Sequence, residues 1–352
     1  MRDDNDNKMV QCPTPVQQHV NITIAHGGGG SQMHQLIEDL FIKIFDSEEL
    51  KRAHDGAVFN GQKKRFAFTT DSFVVSPLFF PGGNIGSLAV LGTVNDLAMC
   101  GARPLYISAG FIIEEGFSVE MLNQITHSMK IAADKTNAKI VTGDTKIVEH
   151  GKGDGVYINT SGIGIMDHEL DISPTSIEPG DSIIINRDIG RHGIAIMSVR
   201  EGLQFETSIE SDIAPLANSI IALIENDIRI RCLRDLTRGG LASALTELAG
   251  SSRLHFVLEE RSIPVSSAVN NACEILGLDP LQVANEGTFI LFAPQSDAEK
   301  ALNILRNDLN WPEASKIGRV VDDENGLVTL VTILGAERII TMPAGEQLPR
   351  IC

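Results

Sequence analysis

The segment Ile85 to Cys100, IGSLAVLGTVNDLAMC, constrains the fold more than any other in this 352-residue chain. It reads as a buried helix rich in small residues, and its one charged residue, Asp96, stands beside Asn95 among Leu, Ala and Met. A carboxylate in such surroundings needs a partner to remain ionised. The rest of the chain must therefore cover this helix and bring something to Asp96.

Strands and helices able to do so lie on both sides. Asn21 to Ala25 reads as a strand running into His26-Gly27-Gly28-Gly29-Gly30. Ser31 to Phe45 then carries Met33, Leu36, Ile37, Leu40, Phe41 and Ile44 at helical spacing, with Ser31 as N-cap. Arg65 to Thr70 alternates as a strand that delivers Asp71 at its end, and Pro77 to Asn84 is a loop. A strand Leu105 to Phe111 precedes a helix near Val119 to Asp134, a strand Lys139 to Thr142 delivers Gly143 and Asp144, and Tyr157 to Ile165 is a further strand. Pro174, Pro179 and Gly180 mark a break within Asp167 to Asp181.

A second half follows. It has a strand Ser182 to Asn186, a helix beginning near His192, a helix Ile213 to Ile224 and a strand before Asp235. A helix Leu241 to Ala249 is closed by Gly250, and a strand Thr288 to Ala293 follows Glu286-Gly287. Interleaving without a strict βαβ repeat argues for α+β architecture in two domains, residues 21–168 and 169–341. Residues 1–20 are polar and read as a flexible tail. Residues 342–352, MPAGEQLPRIC, hold two prolines and a glycine, which argue against helix or sheet and for a mobile tail.

Net charge narrows the partners. At −17, with a pI near 4.9, the surface repels a phosphate backbone, so no nucleic acid is expected. ATP is not excluded, because magnesium neutralises phosphates locally. No apolar run reaches spanning length and the first twenty residues lack a signal-peptide core, so the expectation is a cytoplasmic protein with no membrane partner. Cys12, Cys100, Cys232, Cys273 and Cys352 are odd in number, scattered and without a CxxC pair; reduced thiols follow, with neither a disulfide framework nor a zinc site.

The candidate chemistry is spread along the chain. Asp71 follows RFAFTT, Asp96 lies in the buried helix, Asp144 in VTGDTK and Asp235 in RDLTRGG. Any one alone reads more simply as a cap, a turn residue or an exposed carboxylate. If the segments converge, the set makes an oxygen-rich site suited to magnesium bridging nucleotide phosphates. HGGGG is not a Walker loop; alone it is a flexible turn, and functionally a backbone cradle for phosphates at a helix start. Lys146 and Glu286, otherwise a surface lysine and a turn glutamate, could exchange protons if one tunes the other. Cys352, the last residue, ends a tail that reaches roughly 35 Å when extended, enough to enter a distant pocket. It is not four from the end, so prenylation is excluded. The adjacent α-carboxylate raises its pKa and Arg350 offsets this in part.

Taken together, AHGGGG, TTDSFVVSPLFFPGGNIG, GTVNDLAMCGARP, TGDTKIV, LRDLTRGG, ANEG and the terminal PRIC resemble the HypE family of hydrogenase maturation factors. These are carbamoyl dehydratases related to aminoimidazole ribonucleotide synthetase. The resemblance spans roughly residues 22–352, a two-domain scale. The Asp, TGDTK and RDLTRGG motifs belong to the wider superfamily; PLFFPGGNIG and PRIC are more specific.

The resemblance implies that a HypF-type carbamoyltransferase loads a carbamoyl group onto Cys352. ATP then phosphorylates the amide oxygen, a proton leaves the nitrogen and phosphate departs. The resulting thiocyanate passes cyanide to iron in a HypC–HypD complex for a nickel–iron hydrogenase. It further implies that Asp71, Asp96 and Asp144 hold magnesium and phosphates, and that Lys146 and Glu286 manage the protons. His26, Gly27, Gly28, Asn84 and Asp235 attend the nucleotide, and the N-terminal halves pair in a homodimer. Arg191 in IGRHG stands where the family usually has an acidic residue, so this reading gives His192 little weight. The rivals are a small-molecule kinase of the same superfamily, which would not need Cys352, and a docking scaffold, which would not need the buried carboxylates.

Overall fold

The fold is that of a computed structural model that describes residues 26, 28–45, 48–52, 54–61, 64–202, 209–323, 325–343, 348 and 350–352. The expected strand Asn21 to Ala25, Gly27 and Cys12 lie outside the described residues. Among the described residues no helix is long and apolar enough to cross a membrane.

Two sheets carry the two halves. The first is built from β1 (Ala57–Asn60), β2 (Arg65–Phe73), β5 (Arg103–Glu114), β6 (Lys139–Val148) and β7 (Val156–Met166), with a small hairpin, β3 (Phe79–Phe80) and β4 (Gly83–Asn84), beside it. Its order is β1-β2-β7-β5-β6, antiparallel except where β5 runs parallel to β6. The second holds β8 (Asp181–Ile185), β9 (Cys232–Asp235), β10 (His255–Glu259), β11 (Phe289–Pro294), β12 (Ser315–Val321), β13 (Val328–Val331) and β14 (Glu337–Ile340). Its order is β14-β13-β10-β12-β8-β11-β9. This is mixed α+β architecture, as the missing βαβ repeat implied.

The helix Ile85–Met99 lies between the halves. It packs on β2 and β7 on one side and on the helix Ala217–Glu225 and β9 on the other. Small residues set how closely it approaches. A Cβ on Gly92 would stand 2.8 Å from the Phe73 ring, and one on Gly86 would stand 2.2 Å from the Ile125 carbonyl oxygen of the neighbouring helix Val119–Lys135. Thr93 and Thr160 hydroxyls satisfy each other across the interface at 2.6 Å, so the polar atoms buried there are paired.

Several expected boundaries move. Gly30, not Ser31, is the N-cap of the first helix, and it offers no side-chain cap. Asp71 lies inside β2 rather than at its end. The helix expected to close at Gly250 continues to Ser252, and Arg253 in the left-handed region (φ 57°) terminates it. The expected loop Pro77 to Asn84 contains the β3–β4 hairpin, and Asn84 is the N-cap of the buried helix, closing a capping box with Ser87.

Replacing Gly86 by Ala forces the two helices apart. The expected loss is about 1–3 kcal/mol, read as a lower urea midpoint; an unchanged midpoint would show that the helix contact is slack.

Candidate active site

Two asparagines and one aspartate build the centre of the site from backbone. Asn285 accepts from Gly190 N at 2.6 Å and donates to Leu236 O at 2.9 Å and Val283 O at 3.1 Å. Asn186 donates to Gly287 O at 3.0 Å and accepts from Phe289 N at 2.8 Å. Asp212 accepts from Glu286 N, Gly287 N and Thr288 Oγ1, at 2.8 to 3.1 Å. Glu286 is thereby fixed at a tight turn whose glycine has no room for a side chain, since a Cβ on Gly287 would sit 2.0 Å from Asp212 O.

Around this turn the carboxylates gather. Asp71 and Asp235 act electrostatically on both Asp96 and Glu286, with Arg238 as the cation near Asp71, Asp235 and Glu286. Burial, then repulsion from Asp235 and Asp71, holds Asp96 well above the ordinary carboxylate range. Burial and the Asp55 charge do the same for Asp235, and burial with Asp235, Asp212 and Asp71 for Glu286. Glu286 Oε1 is buried with no hydrogen-bond partner among the described residues. Asp96 finds the Thr69 hydroxyl at 2.8 Å.

Beside the cluster, a cavity of about 220 Å³ is lined by Gly29, Gly30, Asp55, Asp235, Arg238 and Glu247, among others. The glycine loop touches RDLTRGG directly: a Cβ on Gly29 would lie 2.8 Å from Arg238 O, and one on Gly239 3.1 Å from Gly29 O. Glycine at φ 68° is required where the two loops press together. Arg234 pairs with Asp55 at 3.0 Å and Glu247 at 3.2 Å, walling the cavity.

The chain's end closes the other side. Val74 N donates to Cys352 O and Ser76 N to Arg350 O, each at 3.1 Å, so the tail runs antiparallel to the segment after β2. Leu348 and Ile351 are buried, and Ile351 O accepts from His192 Nε2 at 2.8 Å. The Cys352 thiol is part-buried, facing Arg238, Glu286, Asp71 and Asp235. Burial pushes it above the ordinary thiol range; Arg238 works against this and Glu286 with it.

The structure thus brings together Asp71, Asp96, Asp235, Glu286 and Cys352. It does not bring Asp144 and Lys146 to them. Register places Gly143 level with Asp71 across β7 and β5, so Asp144 lies three strand spacings away, roughly 14 Å. Asp71 shares the inner face with Thr69 and Phe73, whereas Asp144 and Lys146 align with Asn159 and Tyr157 on the outer face. They are exposed and pair with each other at 2.7 Å, which lowers the Asp144 pKa. A three-carboxylate metal set of Asp71, Asp96 and Asp144 is therefore not assembled within this chain. Among the described residues no group of three His, Cys, Asp or Glu side chains is placed to hold a metal. Asn84 is committed to its cap and donates to Ser128 at 2.7 Å. His26 and Gly28 lie ahead of the first helix.

Asp55, Arg238 and Asp212 went unread in the sequence, and His192 was given little weight. Asp55 and Asp212 sit in turns between elements, where polar residues are ordinary. Arg238 was visible inside RDLTRGG.

A thiol at the chain's own C-terminus, held against buried carboxylates and a glycine-loop cavity, can be compared with known proteins. Residues 53–166 match the AIR synthase related protein N-terminal domain, and residues 178–331 the corresponding C-terminal domain. Over 332 residues the chain is 50% identical to carbamoyl dehydratase HypE of Azotobacter vinelandii, covering 94% of this chain and 97% of that one. The chain belongs to the HypE family. A solved HypE–HypF complex contains a chain matching at a TM-score of 0.83 and 47% identity, covering 88% of this chain and 99% of that one. A solved hydrogenase maturation protein HypE in complex with ATP matches at 0.80 and 43%, covering 94% and 100%.

Glu286 has a folded-state pKa raised above its unfolded value. Its contribution to stability is therefore present at acid pH and lost as pH rises from the ordinary glutamate range through the raised value. Glu286→Gln removes that penalty. Its melting temperature should match the parent near about pH 4 and exceed it at about pH 8; a difference independent of pH would contradict the buried, partnerless carboxyl.

Proposed function

We propose that the chain is an ATP-dependent carbamoyl dehydratase acting on its own Cys352. The observation that carries this is the Cys352 thiol within electrostatic reach of Glu286 and of Arg238, which lines the glycine-loop cavity. The net reaction converts Cys–S–CO–NH2 and ATP into Cys–S–C≡N, ADP, phosphate and a proton. An amide oxygen leaves poorly until phosphorylated, so the two-step route lowers the barrier.

Nucleotide phosphates would lie along Gly29, Gly30 and Arg238, with the start of the helix Gly240–Ser252 supplying backbone N–H groups. The terminal phosphate would then face the tail. Buried carboxyls short of positive charge would attract magnesium: Asp71, Asp96 and Asp235 are not placed as a three-ligand set on their own, and would each offer oxygen to an ion that arrives with the nucleotide phosphates. Magnesium would neutralise the charge that develops during phosphoryl transfer. Glu286, with its raised pKa and free Oε1, is placed to take the amide proton as phosphate leaves.

Lys146 and Asp144 enter this reading through a second copy of the chain. β6 is a sheet edge, and the outer sheet face exposes Phe68, Tyr106 and Ile112. Apolar residues on an open face and edge call for cover. A homodimer pairing these N-terminal sheets would cover them and carry Lys146 toward the partner's Cys352. A cytoplasmic setting follows from the proposed partners, a HypF-type carbamoyltransferase before the reaction and a HypC–HypD complex after it.

Two inactive variants test the shared site. Lys146→Ala and Cys352→Ala should each lose dehydration. Unfolded and refolded together, they should recover a fraction of parental activity, because a mixed dimer holds one site with both residues intact. Failure to recover, with mixed dimers confirmed by native mass spectrometry, would place Lys146 in the same chain's site or outside the chemistry.

A further inference from the structure

His192 is fully buried at the start of the helix Arg191–Arg200, and nothing in the proposed chemistry uses it. Its two nitrogens are both engaged. Nε2 lies 2.8 Å from Ile351 O, and a carbonyl oxygen only accepts, so Nε2 carries the proton. Nδ1 is then the acceptor for the Ser211 hydroxyl, also at 2.8 Å. Burial lowers the imidazole pKa, consistent with this neutral form.

Ser211 is in turn held by the hairpin of the PLFFPGG motif. Ser211 N donates to Pro81 O at 2.9 Å, and Ser211 Oγ accepts from Ile213 N at 3.2 Å. Gly82, at φ 92°, lets the hairpin lie so close that a Cβ there would come within 3.0 Å of both Ser211 N and Ser211 O. The Phe80 ring meets the His192 ring edge-on at 5.4 Å. The neighbour of Ser211 is Asp212, whose carboxylate fixes the backbone of Glu286. One dipeptide therefore orients both the carboxyl that faces the thiol and the imidazole that grips the residue before the thiol. Gly193 leaves space for the tail, since a Cβ there would be 3.2 Å from Leu348 Cδ1.

We propose that His192 is a positioning residue for the dehydration: its Nε2–H fixes the Ile351 carbonyl and so sets the Cys352 carbamoyl group at Glu286, within a tail socket whose wall is the PLFFPGG hairpin. The proposal rests on the carbamoyl dehydratase reading. Beside the bonds from Val74 and Ser76, Arg200 donates to Arg350 O and Arg350 Nε donates to Val74 O, and among these none engages Ile351. A reacting group misplaced by 1 Å can lose about 100-fold in rate, so a single bond beside Cys352 has leverage.

Two amides separate positioning from folding. The amide of His192→Gln extends to where Nε2 stood and can still donate to Ile351 O, whereas that of His192→Asn reaches only to Nδ1. On the full-length chain loaded with carbamoyl at Cys352, His192→Asn should slow single-turnover water loss roughly 10- to 100-fold and speed iodoacetamide alkylation of unloaded Cys352. ATP binding should stay at the parental value, both variants should melt below the parent because each removes a buried ring, and His192→Gln should recover most of the rate. Equal losses in both variants, a loss accompanied by weaker ATP binding, or a parental rate in His192→Asn would each overturn the proposal. If the parental chain loads but never loses water, the dehydratase reading fails. The alkylation contrast then decides separately whether His192 holds the tail, and a Cys352 as protected in His192→Asn as in the parent would refute it.

Discussion

The buried amide of Asn95 ties the two halves of the molecule into one site. Its Nδ2 donates to Ala214 O at 3.0 Å and Glu286 O at 3.2 Å, and its Oδ1 accepts from Leu216 N at 2.9 Å. It is 1% exposed, so every one of these groups would be stranded without the others. The next residue on the same helix is Asp96. The bond that fixes the first half to the Glu286 turn thus also fixes the carboxylate cluster that faces it. Binding and chemistry at this site depend on the two sheets keeping their relation, and the central helix with its Asn95 supplies that relation.

Electrostatics explains why so much fixed structure is needed. Burial raises the pKa of Asp71, Asp96, Asp235 and Glu286, and for the last three neighbouring carboxylates raise it further. Such an arrangement stays together because the backbone around it is pinned by Asn285, Asn186 and Asp212. The crowding that costs stability also raises the proton affinity of these carboxyls.

Much of this was legible in the sequence because the helix around Asp96 has no other reading: its small residues demand burial and its carboxylate demands partners. Strand β2 was legible by alternation, and Cys352 by its place at the end of a proline-bearing tail, whereas β1, β10, β12, β13 and β14 were not read. The face of Asp144 was not legible, because spacing along a strand says which residue lies near its end and not which side of the sheet it takes; register puts it on the outer face. The first helix carries a π segment, Ile37–Ile42, that periodicity does not reveal. His192 was hidden for a different reason. Its role lies in contacts with Ser211 and Ile351, distant in sequence, and the arginine before it drew attention to the family pattern rather than to the ring.

The tail joins these arguments, since in the proposed reaction its cysteine is at once part of the protein and the bearer of the substrate. Backbone pairing with Val74 and Ser76 lets any side chain at the tip be presented in the same place, which suits a thiol that changes chemical form through the cycle. The most direct measurement is the intact mass of the C-terminal peptide after incubation with a HypF-type carbamoyltransferase, carbamoyl phosphate, ATP and magnesium. A carbamoyl adduct on Cys352 that loses one water only when ATP is free to act on this chain is the predicted result. A Cys352 that stays unmodified while a known HypE is modified alongside, or an adduct that never loses water, would contradict the account.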